Sequence, residues 1–364
     1  MYVCAACGQT YDETTAPYRC SCGGPFEFAD PPSPERGKPP QLDRDRGLWA
    51  FEEFLPIEQR VTLGEGWTPI VDAPERKASY KLEWLFPTGS FKDRGAATTI
   101  SHALELGVER VVEDSSGNAG AAIATYAARA RLDAEIFVPS DAKPGKLRAI
   151  ERTGATVRRI EGSRADVTDA CIEAIEGTDS ESGTDGWYAS HAWNPAFFEG
   201  TATFAYEIAA QRGWRPPDAV VTPLGHGTLF LGAYWGFERL RAAGWIDSVP
   251  RLYGVQAAGV APMVADRHGE AIAAGENDVA DGIQITEPVR REAITEAIEA
   301  TGGDVLAIDA GATKREYDHL HRNGFYVEPT CAVAPAALDE LRSDDRISEA
   351  DDVVVALTGS GLKS

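Results

Sequence analysis

The chain has 364 residues, of which 43% are hydrophobic and 25% charged, a composition typical of a globular protein with about two domains. Its formal net charge of −22 argues against nucleic acid as a partner, because phosphate binding requires a basic face. No stretch approaches the roughly 20 apolar residues that span a bilayer, and the first residues lack the basic and apolar regions of a signal peptide. We therefore expect a cytoplasmic protein with no membrane partner.

The acidic balance also predicts a host with a salty cytoplasm. Lysine is scarce, and arginine supplies most of the positive charge. At about 1 M salt the Debye length is only roughly 3 Å, so the carboxylates of such a surface no longer repel one another across the molecule. An acidic protein without a halophilic host is the alternative interpretation.

Residues 1–30 hold four of the six cysteines, and a proline-rich linker follows at residues 31–49. The spacing C-x2-C-x12-C-x-C places two close pairs around a short hairpin, although the second pair is one residue tighter than is usual for zinc. Four thiolates would complete a tetrahedral zinc and leave no position for water, so the predicted role is structural. Disulfides, which a cytosol disfavours, and free thiols are the alternatives. The predicted ligands are Cys4, Cys7, Cys20 and Cys22.

From about residue 50 onward, short apolar runs alternate with alanine-rich helical patterns such as residues 119–131 and 163–176. This alternation predicts an α/β protein with parallel sheets that helices cover on both faces. The predicted strands are residues 110–112, 134–139, 156–160, 219–224, 251–255 and 352–357.

The segment P-T-G-S-F-K-D-R-G (87–95) places Lys92 at the start of a helix predicted over residues 95–106. The N–H groups and the positive end of a helix lower the pKa of a nearby ammonium, which suits its amine for nucleophilic chemistry. An exposed surface lysine is the alternative. The small residues before Lys92 and the scarcity of lysine disfavour it.

Two turns follow predicted strands and open predicted helices, as ligand sites of α/β sheets do. In S-S-G-N-A-G (115–120) the N–H groups suit a carboxylate, and Asn118 can donate to a ring hydroxyl. In P-L-G-H-G-T-L (223–229) the glycines let the backbone approach a phosphate. The Walker lysine and the Rossmann spacing are absent, so a monophosphate is expected. An ordinary helix cap and a tight turn are the respective alternatives.

The last predicted strand leads into A-L-T-G-S-G-L-K (356–363), where the hydroxyl of Thr358 can meet a heterocyclic nitrogen. The six histidines show no metal-like spacing. We expect four of them on the surface or on helix faces, namely His102, His268, His319 and His321. Cys171 and Cys331 are expected to be small buried residues.

These motifs, in this order, resemble the threonine synthase family of fold-type II pyridoxal-phosphate (PLP) enzymes. The cysteine hairpin also resembles one found in many family members. The resemblance implies an α/β fold of two doubly wound parallel-sheet domains with a zinc-ribbon-like hairpin. The expected domains are residues 1–30 (hairpin), 31–49 (linker), 50–95 with 206–364 (large domain) and 96–205 (small domain). The matching segments are residues 81–95, 115–118, 194–200, 223–227, 327–329 and 358–363.

The resemblance implies a role for each matching residue. Lys92 would hold PLP as a Schiff base and move protons, Asn118 would contact the ring hydroxyl, and Thr358 would face the pyridine nitrogen. The cofactor phosphate would lie on Gly225, His226, Gly227 and Thr228, with His226 where relatives more often have Asn. The substrate would contact Ser115, Ser116, Ala119, Asn194 and Phe197.

Three departures from the family pattern concern the substrate. Phe197 stands where the family usually has Arg, in N-P-x-R-x-E-G. Ala119-Gly120 replaces Thr-Ser, and Thr201-Ala202-Thr203 replaces Gln-Lys-Thr. Because a guanidinium fork suits a phosphate leaving group, the loss of this Arg predicts a pocket less suited to phosphate.

The resemblance implies a PLP-dependent carbon–oxygen lyase of amino-acid metabolism, acting on O-phosphohomoserine or a related substituted amino acid to give threonine. The S-S-G-N-A-G segment resembles serine/threonine dehydratases, so an ammonia-lyase is the second hypothesis. The third is a regulatory homologue that binds PLP or an amino acid without catalysis. The presence of Lys92, Asn118 and Thr358 argues against it. By analogy with fold-type II relatives, a homodimer is expected.

Overall fold

A computed structural model describes residues 1–142, 144–176 and 186–363. The strands are β1 (Tyr2–Cys4), β2 (Thr10–Tyr11), β3 (Phe26–Phe28), β4 (Ile70–Ala73), β5 (Ala78–Lys81), β6 (Arg110–Glu113), β7 (Asp133–Pro139), β8 (Thr156–Ile160), β9 (Trp187–Tyr188), β10 (Ala219–Pro223), β11 (Arg251–Ala257), β12 (Asp304–Ile308) and β13 (Val353–Ala356). The α-helices are α1 (Lys92–Glu105), α2 (Asn118–Ala130), α3 (Pro144–Glu151), α4 (Arg164–Glu176), α5 (Pro195–Gln211), α6 (Thr228–Ala242), α7 (Pro262–His268), α8 (Glu270–Ala273), α9 (Arg291–Thr301), α10 (Ala310–Arg322) and α11 (Val333–Ser343). Short 3-10 helices cover Arg44–Phe54, Pro74–Arg76, Asp281–Ile283, Pro329–Ala332 and Gly361–Lys363.

The chain divides into two compact units. The first consists of Met1–Ser33, Leu42–Glu65 and Lys92–Gly200, and the second of Pro34–Gln41, Gly66–Phe91 and Thr201–Ser364. The backbone passes from the second unit to the first immediately before Lys92. The domain ranges expected from the sequence differ from these two units, and they remain a prediction.

The first unit begins with a three-stranded antiparallel sheet of order β2-β1-β3. Tyr2 and Phe28 of this sheet are buried, and the Tyr2 hydroxyl lies 2.7 Å from Nε2 of His102 in α1. His102 was expected on the surface or on a helix face; it lies on helix α1, but a surface position is wrong, because the hairpin covers the residue and leaves 2% of it accessible. The hairpin is thus attached to the helix that begins at Lys92.

The larger sheet of the first unit has four parallel strands in the order β8-β7-β6-β9. Val111, Val112, Ile136 and Val138 are fully buried there, as expected for strands that pack on both faces. The three strands predicted from apolar runs in this region are confirmed. The two-residue strand β9 was not predicted.

The second unit contains a six-stranded sheet of order β12-β11-β10-β13-β5-β4, in which only β4 runs antiparallel to its neighbour. The predicted α/β class and its strands at β10, β11 and β13 are confirmed. Because β10 and β13 are parallel neighbours, the loops after them leave the same edge of the sheet. These are the loops that contain Gly225 to Thr228 and Thr358.

Among the described residues, no helix combines the length and the apolar character that a membrane crossing requires.

Candidate cofactor and substrate site

Lys92 is the first residue of α1, and buried neighbours hold this helix start. Asp93 and Arg94 are both 0% exposed. Tyr126 of α2 donates a hydrogen bond of 2.9 Å to Glu65 and also bonds Asp93. Burial, followed by the charges of Asp93 and Glu65, raises the pKa of Tyr126, so its hydroxyl stays a neutral donor. The acidic residue beside Lys92 therefore anchors the helix start on α2.

The three residues before Lys92 are paired with the turn after β13, all within the second unit. The Phe91 N–H donates to the Thr358 carbonyl at 3.1 Å, and the Ser360 N–H donates to the Gly89 carbonyl at 2.8 Å. Ser90 and Gly359 form an isolated antiparallel bridge. The backbone leading to Lys92 is thus fixed by the turn that contains Thr358.

The S-S-G-N turn begins α2 in the first unit. The Ser115 hydroxyl accepts the Gly117 N–H at 3.2 Å, and the helix starts without a side-chain cap. A Cβ at Gly120 would overlap the Ser115 carbonyl oxygen, so the turn lies too close to the helix for a larger residue. Uncapped N–H groups at a helix start suit an anion such as a carboxylate.

Phe197, the residue at the expected arginine position, is fully buried in α5. Its ring lies against Gly95, where a Cβ would overlap it, and Lys92 Nζ lies 5.8 Å from the ring centroid. A cation at this distance from an aromatic face is attracted by the ring quadrupole. Phe197 therefore contacts the predicted catalytic lysine and offers no hydrogen bond to a phosphate.

The other expected substrate residues have mainly structural contacts. Asn194 accepts the Ala196 N–H at 3.0 Å and donates to the Tyr188 carbonyl at 3.3 Å, which caps α5. Ala119 is buried in the first turn of α2. Their roles toward a substrate stay predictions.

Glu113 and His191 form a pair in the first unit that motif reading did not identify. His191 Nδ1 lies 2.8 Å from the Glu113 carboxylate, and the His191 ring contacts the ring of Phe197 at a centroid distance of 6.0 Å. In the sequence, Glu113 directly follows the predicted strand at residues 110–112, and His191 follows a short run at residues 187–190; neither position by itself indicates that the two residues meet. Such a pair of residues is able to hold and transfer a proton.

In the second unit, the glycine loop after β10 leads directly into α6. Gly227 has φ of 80° and caps the helix without a side-chain hydrogen bond. The Thr201 hydroxyl donates to the Thr228 carbonyl at 2.8 Å, which fixes the first turn of α6. A positive φ favours glycine, and an uncapped first turn of N–H groups suits a phosphate monoester.

Thr358 is buried at the carboxyl end of β13, and its hydroxyl lies 3.4 Å from the Cys331 sulfur. Cys331 is buried as expected, and burial raises the pKa of its thiol to about 12. The partner of Thr358 is therefore an uncharged thiol. A neutral hydroxyl beside a neutral thiol suits contact with an unprotonated pyridine nitrogen.

Each unit, taken by itself, offers residues that fit a part of PLP in chemical type. Lys92 supplies the amine, the start of α6 suits the phosphate, and Thr358 offers the neutral hydroxyl. The four cysteines of the hairpin also fit a metal, since their sulfurs all lie within 4.8 Å of one another.

Comparison with known proteins decides the family. The model of the pyridoxal-phosphate dependent enzymes matches residues 61–359. The chain belongs to the pyridoxal-phosphate dependent enzyme family. Within this family it is similar to the threonine synthase of Methanocaldococcus jannaschii, with 31% identity covering 99% of the chain and 92% of that protein. It is also 33% identical to the threonine synthase of Mycobacterium tuberculosis, over 86% of the chain and 87% of that protein.

Two solved structures share the fold of this chain. Maize serine racemase superposes with a TM-score of 0.68 at 20% identity, covering 81% of this chain and 88% of its own. The L-serine ammonia-lyase of Rhizomucor miehei gives a TM-score of 0.67 at 21% identity, covering 80% and 93%. At such identities the likeness concerns the fold alone. The resemblance to PLP-dependent lyases of the threonine synthase type, read from the motifs, is confirmed by the family match and the relatives.

Proposed function

We propose that this member of the pyridoxal-phosphate dependent enzyme family is a threonine synthase, which releases phosphate from O-phosphohomoserine and adds water to give threonine. The full-length similarity to proteins of that name is the observation that carries the proposal. Phe197 stands where the family pattern has an arginine, so a threonine synthase reaction in this chain requires another group to bind the substrate phosphate.

In the proposed mechanism, PLP supplies an electron sink for the carbanion that forms at the substrate α-carbon. Lys92 would hold the cofactor through its Nζ, and the free amine of Lys92 would take the α-proton of the substrate. Asn118 would donate to the ring hydroxyl of the cofactor, and Thr358 would offer a neutral hydroxyl to its ring nitrogen. The cofactor phosphate would be held by the loop Gly225, His226, Gly227 and Thr228, and the N–H groups after Ser115 and Ser116 would hold the substrate carboxylate.

A parallel assay of the purified protein in molar KCl tests this function. It follows phosphate and threonine formation from O-phosphohomoserine, and 2-oxo acid formation from serine and threonine. Threonine with equimolar phosphate supports the proposal, and Lys92→Ala should abolish it together with the visible absorbance of the bound cofactor. Turnover that survives Lys92→Ala would contradict the assigned role of this lysine.

A serine/threonine dehydratase is the second candidate, and the burial of Phe197 in place of arginine favours it. A pocket without a guanidinium suits a hydroxyl leaving group better than a phosphate. Formation of 2-oxo acid without phosphate release would establish this function instead.

We also propose that the hairpin binds a structural zinc through Cys4, Cys7, Cys20 and Cys22. In a tetrahedral site with Zn–S bonds of about 2.3 Å, sulfurs lie roughly 3.8 Å apart. The Cys4–Cys22 and Cys7–Cys20 sulfur pairs lie 3.5 and 3.6 Å apart, close to that value. We further propose that the protein works in the cytoplasm of a halophilic host, a proposal that its net charge of −22 supports. By analogy with fold-type II relatives, we propose that it forms a homodimer.

A further inference from the structure

Strand pairing brings Glu113 and His191 to one edge of the four-stranded sheet. β6 and β9 are parallel neighbours with Val112 opposite Tyr188, and the Ala189 N–H donates to the Val112 carbonyl at 2.8 Å. Glu113 ends β6 and His191 follows β9, so both side chains belong to the carboxyl ends of adjacent strands. Ligand-binding residues of α/β sheets occupy this edge.

His191 contacts both carboxylate oxygens of Glu113. Its Nδ1 lies 2.8 Å from Oε1, and its backbone N–H donates to Oε2 at 3.3 Å. Glu113 is fully buried, whereas the His191 side chain is 14% exposed. The carboxylate thereby fixes the ring orientation and the Nδ1 partner, and Nε2 is the nitrogen on the other side of the ring.

The surroundings of Glu113 favour retention of a proton by the pair. Burial, and then the charge of Asp114, raise the pKa of Glu113 well above its usual value, although the His191 N–H and Lys92 oppose this shift. The shared proton can lie on Glu113 or on Nδ1. When the proton lies on Glu113, the carboxyl group donates to Nδ1, and the hydrogen of the neutral imidazole lies on Nε2, which is then a donor.

The pair lies beside the residues of the proposed reaction. Phe197 contacts the His191 ring at 6.0 Å and Lys92 Nζ at 5.8 Å, measured from its ring centroid. Phe197 itself is buried and apolar, so it does not replace an arginine in binding phosphate. Among the described residues, Lys92 and His191 contact this ring, and Lys92 already serves the cofactor in the proposed function.

We propose that His191, oriented by Glu113, binds the phosphate leaving group of the substrate and protonates its bridging oxygen. This inference rests on the proposed threonine synthase function and names the group that replaces the missing guanidinium. His191 is the catalytic residue in this step, and Glu113 is a positioning residue.

The proposed step balances in atoms and charge. The Lys92 amine, after it has released the α-proton, takes a proton from the substrate β-carbon, and the electrons of that C–H bond form a double bond between the β- and γ-carbons. As this bond forms, the bond between the γ-carbon and the bridging oxygen breaks, its electron pair goes to that oxygen, and the oxygen takes the hydrogen from Nε2 of His191. Phosphate leaves as the hydrogen phosphate dianion. The pair is left with a carboxylate on Glu113 and a hydrogen on Nδ1, and a proton from water restores it after the product departs.

Phosphate binding tests the inference without relying on turnover. Inorganic phosphate is titrated into the holoenzyme by calorimetry, for the wild type, His191→Gln and the control His268→Gln. His268 forms a similar pair with Asp304 at 2.8 Å in the second unit. His191→Gln should weaken phosphate binding about tenfold, whereas His268→Gln should change it less than about twofold. Equal affinities of wild type and His191→Gln would overturn the inference.

A crystal structure of the wild type soaked in phosphate covers the case in which His191→Gln does not fold. A phosphate oxygen about 2.7–3.2 Å from His191 Nε2 supports the inference, and phosphate bound only elsewhere contradicts it.

The role of Glu113 is tested by the split between kcat and KM for phosphate release. Glu113→Gln keeps a hydrogen bond to the imidazole but cannot supply a proton, so kcat should fall about tenfold or more with KM nearly unchanged. An unchanged kcat would contradict the proton transfer. A wild type that releases no phosphate would overturn the proposed function itself. Phosphate release that is equally fast in His191→Gln would overturn the inference alone.

Discussion

The Phe197 ring packs directly against Gly95 at the start of α1. The ring lies where a Cβ of residue 95 would be, and it also contacts Lys92 Nζ. A glycine within a helix is intrinsically less favourable than alanine by about 1 kcal/mol, so its presence here reflects packing rather than helix preference. The two residues should therefore be energetically coupled.

We expect Gly95→Ala to destabilise the protein by about 1–2 kcal/mol, because overpacking against a fully buried ring outweighs the gain in helix preference. In the double variant Gly95→Ala/Phe197→Ala the new methyl group has room. The coupling energy in urea unfolding should therefore be favourable by about 1 kcal/mol or more. Strict additivity of the two substitutions would show that the ring and the glycine do not compete for space.

Two substitutions of Thr358 test whether its hydroxyl contacts the cofactor. Thr358→Val removes the hydroxyl at nearly constant volume, while Thr358→Ser keeps it. We expect Thr358→Val to weaken PLP binding to the apoenzyme by about three- to tenfold, the effect of one neutral hydrogen bond. Thr358→Ser should bind within about twofold of the wild type. Absorbance titration measures both, and equal affinity of the valine and serine variants would exclude the contact to the ring nitrogen.

Sequence motifs can propose site residues that lie within one segment, but they cannot propose those that are assembled from distant segments. Lys92, Asn118 and Thr358 lie in contiguous patterns that each follow or precede a predicted element. Glu113 and His191 are 78 residues apart, and only the β6–β9 pairing brings them together. Likewise, Cys331 could be expected to be buried, but its contact with Thr358 depends on the turn after β13.

At the scale of elements, apolar runs predicted the buried central strands, while short or polar strands escaped notice. β5 is such a case, because it ends in Lys81, a residue seldom found in a core. Lys81 is fully buried, and its Nζ donates to Glu207 of α5 at 2.8 Å and to the Thr68 carbonyl at 2.7 Å. A charge pattern in one segment does not reveal its partner in another.

The buried ion pair between β5 and α5 predicts an asymmetric response to mutation. Lys81→Met should destabilise the protein by about 3–5 kcal/mol, because Glu207 keeps a buried charge without its ion-pair partner. The double variant Lys81→Met/Glu207→Leu should recover most of this loss, since neither charge remains to be desolvated. Chemical denaturation of both variants measures the difference. A double variant as unstable as Lys81→Met would show that packing, rather than the unpaired charge, sets the effect.

The cysteine hairpin is an element whose stability we expect to depend on metal. Purified protein should contain about one zinc per chain, and chelation or Cys22→Ser should lower the melting temperature of the first unit, because a structural zinc site contributes folding energy. Cys171→Ser, a buried cysteine remote in sequence from the cluster, is the control and should leave the zinc content unchanged. Zinc-free protein of full stability would refute the metal site.

At the scale of the whole molecule, the net charge of −22 predicts that salt stabilises the fold. Carboxylates of like sign repel one another more strongly in the compact state than in the expanded chain, and this repulsion is screened when the Debye length falls from about 10 Å at 0.1 M to about 3 Å at 1 M. The melting temperature should therefore rise with KCl, most steeply below about 1 M. A melting temperature that is the same in dilute buffer and in molar KCl would contradict adaptation to high salt.

The exposed face of α9 provides a matched test of the screening argument. Glu296 and Glu299 lie on this face one turn apart, and Glu299 also lies near the carboxyl end of the helix, where the dipole disfavours a negative charge. Glu296→Gln/Glu299→Gln changes the net charge from −22 to −20, since two negative charges are removed. This variant should be more stable than the wild type by about 0.5–1 kcal/mol in dilute buffer, and the two should be equal in about 2 M KCl. If the variant is still more stable than the wild type in high salt, the added stability comes from local helix preference. Relief of charge repulsion would then not explain the effect of KCl.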